Sequence, residues 1–238
     1  MTFKLLSTAN PKIQKGTKLG YLSFILHLAP ADLSGHNTCP KATAGCKSAC
    51  LNTAGRGGMF KRGESTNAIQ KARIRKTKYF YDARMDFMLD LKHDIEKGIK
   101  LAAKLGLKPV FRLNGTSDLS WEKYDMLPGL NVFECFPDIQ FYDYTKVLGR
   151  KAGYDNYFLI FSQADGNEAD VNKAIAQGMN VATVFDEVPA EYKGRPVINA
   201  DETDLRFLDP KGVIAGLKAK GKAKKDYSGF VIRLKEAA

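Results

Sequence analysis

Residues 21–28, Tyr-Leu-Ser-Phe-Ile-Leu-His-Leu, form a short apolar run between Gly20 and Pro30, which predicts a buried first strand. From 82 to 105 the period changes. Met85, Met88, Leu91, Ile95, Ile99 and Ala102 recur every three or four positions, the spacing of one helical face, and Gly106 supplies the stop. A preceding helix over 65–79 carries a row of cations, with Ile69 and Ala72 as its packing positions. Further on, apolar runs at 109–113, 139–142, 157–161, 180–185 and 196–199 alternate with helical or irregular stretches, the rhythm of a parallel sheet. The clearest βαβ unit runs from the strand ending at Phe161, through a capping region with Asp165 and Asn167 and a helix over 168–177, to Gly178 and the strand at Val181. Six strands, a seventh at 230–234 and no break in composition predict one α/β domain over 1–238.

Polar residues follow the strands consistently. Asn114 to Asp118 come after the second, Asp143 to Lys146 after the third, Ser162 to Asp165 after the fourth, Asp186 and Glu187 after the fifth, Asp201 and Glu202 after the sixth. In parallel α/β folds ligands bind at the C-terminal strand ends, so these groups would share one rim. Strand-to-helix loops carry such residues as caps and turns in any case. Arg112, Asn114, Asp118, Tyr142, Lys146 and Gln163 are the candidate ligand contacts, with Arg112 and Lys146 suited to an anionic group.

Three of the four cysteines fall within twelve positions, in Cys39-Pro-Lys-Ala-Thr-Ala-Gly-Cys46-Lys-Ser-Ala-Cys50. Thiolates bind soft metals, and a loop with Pro40 and Gly45 can turn three sulfurs inward while leaving a coordination position open. The paired C-x-x-C knuckles of a closed structural zinc site are absent. An iron–sulfur cluster is the leading expectation. Zinc stays open as well, since His36 would complete a Cys3His set. Lys41 and Lys47 would offset the thiolate charge of either metal. Cys135 has apolar neighbours and reads as a buried thiol; His27 and His93 read as packing or surface residues.

Composition narrows the class. The apolar fraction of 44% and charged fraction of 26% belong to a globular protein, not a disordered one. No stretch approaches the roughly 18 apolar residues of a membrane span, and the start of the chain is too short in apolar residues for a leader core. Cytoplasm is therefore the expected compartment, where clustered cysteines bind metals or react and do not pair. Net charge is +11, favouring an anionic partner. The excess lies in Lys71, Arg73, Arg75, Lys76 and Lys78, and in a later run of Lys218, Lys220, Lys222, Lys224 and Lys225. A nucleic-acid-binding protein with a structural metal loop is the second expectation, with residues 71–78 tracking phosphates and Tyr79, Phe80 and Tyr81 stacking on bases. A hydrolase using Asp186, Glu187, Asp201 and Asp204 is a third, though their spacing matches no metal motif. Phosphate-loop and nucleophile-elbow motifs are missing.

A C-x6-C-x3-C loop after the first strand of a parallel βα chain resembles the radical S-adenosylmethionine superfamily, most closely its divergent phage-encoded members. Residues 29–35 and 54–57 are also similar to such phage gene products, so the resemblance is specific over 19–58. It implies a partial (β/α)6 TIM-like barrel, a [4Fe-4S] cluster on Cys39, Cys46 and Cys50, and S-adenosylmethionine on the open iron. The leading expectation is then an iron–sulfur protein acting on a small-molecule or nucleotide-like ligand at the strand-end rim, by reductive cleavage of S-adenosylmethionine, and for a phage protein the host cytoplasm. The superfamily loop is usually C-x3-C-x2-C, and no Gly-Gly-Glu follows the second strand. Asn114 to Asp118 stand at that place, with Asp118 positioned to take an amine.

Overall fold

A computed structural model describes residues 4–8, 15–150 and 153–234; part of the starting stretch read against a leader core lies outside them. The elements run β1 (Leu6–Ser7), β2 (Tyr21–Leu26), α1 (Ala44–Ser48), α2 (Ala68–Asp82), α3 (Arg84–Lys104) and β3 (Lys108–Arg112). Next come the small β4 (Asp125–Leu127) and β5 (Leu130–Asn131), α4 (Val132–Cys135), β6 (Gln140–Thr145), β7 (Tyr157–Ser162), α5 (Glu168–Ala176) and β8 (Val181–Phe185). The chain finishes with β9 (Glu191–Tyr192), β10 (Arg195–Asn199), β11 (Ile214–Lys218) and β12 (Val231–Ile232).

The main sheet is ordered β1-β2-β3-β6-β7-β8-β11-β10-β9, and every neighbouring pair from β2 to β10 is parallel. All six expected strands are present. The expected barrel is corrected to an open, mostly parallel sheet, because antiparallel β1 occupies the free edge of β2 and antiparallel β9 that of β10. The helical rhythm also fails, since β6 to β7 and β10 to β11 are crossed without an α-helix. The expected seventh strand, β12, pairs with the last two residues of β8. β11 pairs along all of β8, so β12 shares the edge of β8 whose first residues bind β7.

Side chains alternate between two faces. On the outer face Phe24, Phe111 and Phe141 pack under Phe87, Leu91 and Ile95 of α3. A Cβ at Gly98 would stand 3.1 Å from the rings of both Phe24 and Phe111, so this glycine lets α3 lie close to the sheet. Two expected packing faces are corrected. Met85 is exposed while Phe87 is buried, and α2 buries Gln70, Thr77 and Phe80, leaving Ile69 exposed and Ala72 half-buried. On the inner face Val110, Tyr142 and Leu205 pack with Tyr21, Phe158 and Phe207, so the segment after β10 covers this side. Among the described residues, no helix is long and apolar enough to cross a membrane.

Candidate metal centre

The cysteine excursion leaves the C-terminal end of β2 and is fastened to the loops after β2, β3 and β7. Thr38 Oγ1 donates to the Ala29 carbonyl (2.6 Å), and the Thr38 carbonyl accepts from Asp118 N (2.8 Å) in the loop after β3. Cys39 Sγ lies 3.8 Å from the Thr116 carbonyl. Cys46 sits in α1, a five-residue helix too short to hold itself. Asp165, from the loop after β7, accepts from Gly45 N (3.0 Å), Cys46 N (3.2 Å) and Thr43 Oγ1. A Cβ at Gly45 would collide with Ser228 Oγ at 2.0 Å and Asp165 Oδ1 at 2.6 Å, so glycine is required where these segments meet. Asp165 was expected to cap its own helix; it anchors the cysteine helix, while Asn167 binds Ala164 N and Ser162 O.

The third thiol is held from α2. Asn52 N donates to Cys50 Sγ at 3.5 Å, and Arg73 Nη1 grips Asn52 through its Oδ1 (2.6 Å) and carbonyl (3.3 Å). Asn67 and Gln70 bind the Gly57 carbonyl at 2.9 and 3.0 Å, tying the glycine-rich turn to the same helix. Asn67, Gln70, Arg73 and Thr77 thus form a polar face at helical spacing.

The three thiols are free and half-buried. Burial raises the Cys39 thiol and pushes Cys50 up to about 11; Cys46 opposes both ionisations, and Cys39 also opposes that of Cys50. Mutual repulsion of this kind places the three in one neighbourhood. Among the described residues, no group of three or more His, Cys, Asp or Glu lies close enough to hold a single metal ion. A zinc ion draws its thiolates to about 2.3 Å, whereas a four-iron cluster puts a thiolate on each corner of a cube and spaces them wider. His36 lies flat on the Tyr81 ring, with centroids 4.1 Å apart and planes 4° apart. Cys135 faces the helical layer beside Lys92 and Glu134, so it does not join the three.

The remaining candidates divide. Lys146 lies near the thiols: its charge favours the Cys50 thiolate, and its Nζ reaches Ser162 Oγ at 3.3 Å. Asn114 is engaged by Ser117, Leu119, Trp121 and Asp143. Asp118 accepts from Lys146 N and Arg150, and Gln163 bridges Thr183 and Tyr192. Arg112 and Tyr142 meet on Asp204, at 2.9 and 3.3 Å, on the inner face. Lys47, expected beside the thiolates, is paired with Asp32.

Sequence reasoning passed over Asn52, and it gave Arg73 to phosphate contacts and Asp165 to its own helix, where the structure has them holding the excursion. His27 Nδ1, Arg73 Nε and Arg112 Nε are buried without a protein partner, and His27 feels the charge of both arginines. The missed signal was the run Asn67, Gln70, Arg73, Thr77, polar at a period that elsewhere carries apolar residues.

A family model described as Gene product 88 matches residues 4–234, nearly the whole chain. The chain belongs to the Gene product 88 family. The match covers the cysteine excursion and every strand of the sheet, in keeping with a phage-type gene product. No curated protein and no solved structure matches it.

Proposed function

We propose that this Gene product 88 chain is an iron–sulfur enzyme of radical S-adenosylmethionine type, with a [4Fe-4S] cluster on Cys39, Cys46 and Cys50. The carrying observation is that one short excursion from the end of β2 carries three free thiols, with Cys39 against the loop after β3, Cys46 anchored by the loop after β7 and Cys50 held by Asn52. Three protein ligands leave one iron for an exogenous group, and a cluster so bound supplies single electrons for reductive cleavage of a sulfonium. The chain's own residues bind and orient. Arg73 and Asn52 set Cys50, Asp165 sets Cys46, and Thr38 and the loop after β3 set Cys39. Lys146, whose charge favours the Cys50 thiolate, provides a donor for an acceptor-rich ligand beside the thiols.

The test is anaerobic purification with iron, sulfide and zinc analysis, for the wild type and Cys46→Ala. A brown protein with iron and sulfide in equal amounts, colourless in the variant, is expected. S-adenosylmethionine supplied with a strong reductant should then be cleaved to methionine. A colourless wild type carrying one zinc would overturn the reading.

A further inference from the structure

Two surface clefts border the cysteine excursion, and both are basic. One, of about 410 Å³, lies between residues 44–49 and the segment after β11, which contributes Lys222, Lys225 and Tyr227. The other, of about 320 Å³, is lined by residues 56 and 59 of the excursion with Lys61 and Lys71. Lys222, Lys224, Lys225, Arg56, Lys61 and Arg62 are exposed, and none has an ion pair with a described residue. The one acid lining the first cleft, Asp226, is spent on Ser228 Oγ (2.7 Å) and Val231 N (3.0 Å).

The cations are accompanied by flat and apolar surface. Tyr227 is 75% exposed, and the Arg233 guanidinium lies over its ring at 4.3 Å. With one face of the ring backed, the other is left for a planar group. Met59 is 70% and Phe60 41% exposed beside the second cleft. Lysines suit phosphates, whereas an exposed ring among lysines suits the face of a base, which a duplex hides and a single strand offers. An acidic peptide would use the cations and leave Tyr227 idle. The aromatic residues of α2 offer less surface, since Phe80 is buried and Tyr79 and Tyr81 are half-buried, whereas Tyr227 is exposed.

We infer that the surface bordering the cysteine excursion binds single-stranded nucleic acid, with Lys222, Lys225, Arg56 and Lys61 on phosphates and Tyr227 stacked on a base. This names the substrate class of the proposed enzyme and rests on that reading only for the chemistry. The surface itself needs no cluster.

The test is fluorescence anisotropy of a labelled 20-nucleotide DNA strand against salt, on the intact protein as purified anaerobically. Lys222→Gln/Lys225→Gln should weaken binding about tenfold at low salt and flatten the log–log salt slope by about 1.4, since each lost phosphate contact removes about 0.7. Tyr227→Ala should weaken binding about tenfold with the slope unchanged. Lys100→Gln/Lys104→Gln, at the opposite end of the sheet, should change binding less than twofold. Absence of binding at low salt would overturn the inference. So would an equal loss in the Lys100/Lys104 control, no effect of Tyr227→Ala, or equal displacement by polyglutamate of matched charge. Cys46→Ala keeps the two readings apart: if it loses iron and still binds DNA, the surface stands whatever the fate of the enzyme.

Discussion

His27 and Arg73 show how single residues of this site depend on their surroundings. Burial, reinforced by the charges of Arg73, Arg112 and Lys76, lowers the His27 pKa to about 3, so the folded protein keeps the imidazole neutral. Unfolded, the ring titrates near its ordinary value of about 6.5. Its neutral burial therefore contributes stability above pH 6.5 that is lost as pH falls toward 3, because the unfolded chain takes up the proton first. Urea unfolding at pH 7.5 and pH 5 should show the wild type losing about 2 kcal/mol more than His27→Asn over that interval. Arg73 acts through Asn52 on Cys50. Residues that orient metal ligands typically carry about 10- to 100-fold of metal affinity. On the proposed cluster reading, Arg73→Gln should accordingly lose iron to a chelator at least about tenfold faster than wild type, and Arg73→Lys, which keeps the charge without the fork, should fall between. The cysteines were legible because three of a rare residue in twelve positions need a chemical reason. Arg73 was not, because inward-turned Arg73 and Lys76 in a row with Lys71, Arg75 and Lys78 look the same in sequence as their solvated neighbours.

At the scale of elements, α1 is the weak member. Five residues make too few internal hydrogen bonds to offset the cost of starting a helix, so its geometry is imposed by Asp165 across about 120 residues of chain. Asp165→Asn exchanges one carboxylate oxygen for a donor facing backbone N–H groups. We expect a stability loss of about 1–2 kcal/mol and a larger loss of cluster content, read by unfolding and by iron analysis. An equal iron content with lowered stability would mean that Cys46 is placed by something other than this anchor. The strands of the sheet were legible as apolar runs because buried parallel strands are apolar on both faces. β11 was missed because its Ile-Ala-Gly-Leu-Lys is small at the centre, where Gly216 passes close to Val197 and Val188. The buried face of α2 was misread for a related reason: its Gln70 and Thr77 face backbone groups of the excursion and of β2's exit, so polarity there marks packing, not solvent.

For the whole molecule, the inner face of the sheet is covered by the segment after β10. The segment after β10 crosses this face and plants Asp204 against Arg112 at 2.9 Å, with the Tyr144 hydroxyl donating to its other oxygen at 3.1 Å. Whether a parallel sheet closes depends on what its last strands pair with, and apolar runs do not report pairing. Here the order turns back, with β11 between β8 and β10, so the barrel expected from the strand rhythm could not be checked against sequence alone. Arg112 is nearly buried, with its side chain 12% exposed, so Asp204→Ala would leave a cation and two tyrosine hydroxyls facing a gap. Removing one partner of a buried pair costs about 3–5 kcal/mol, whereas replacing both by apolar residues of similar size is often neutral. Urea unfolding should therefore find Asp204→Ala destabilised by about 3 kcal/mol and Arg112→Met/Asp204→Leu much closer to wild type. If the double variant keeps its stability and its iron content, as measured beside the wild type, yet loses the S-adenosylmethionine cleavage proposed for the wild type, Arg112 belongs to the site, because a residue that only supports the fold would have been replaced without functional cost.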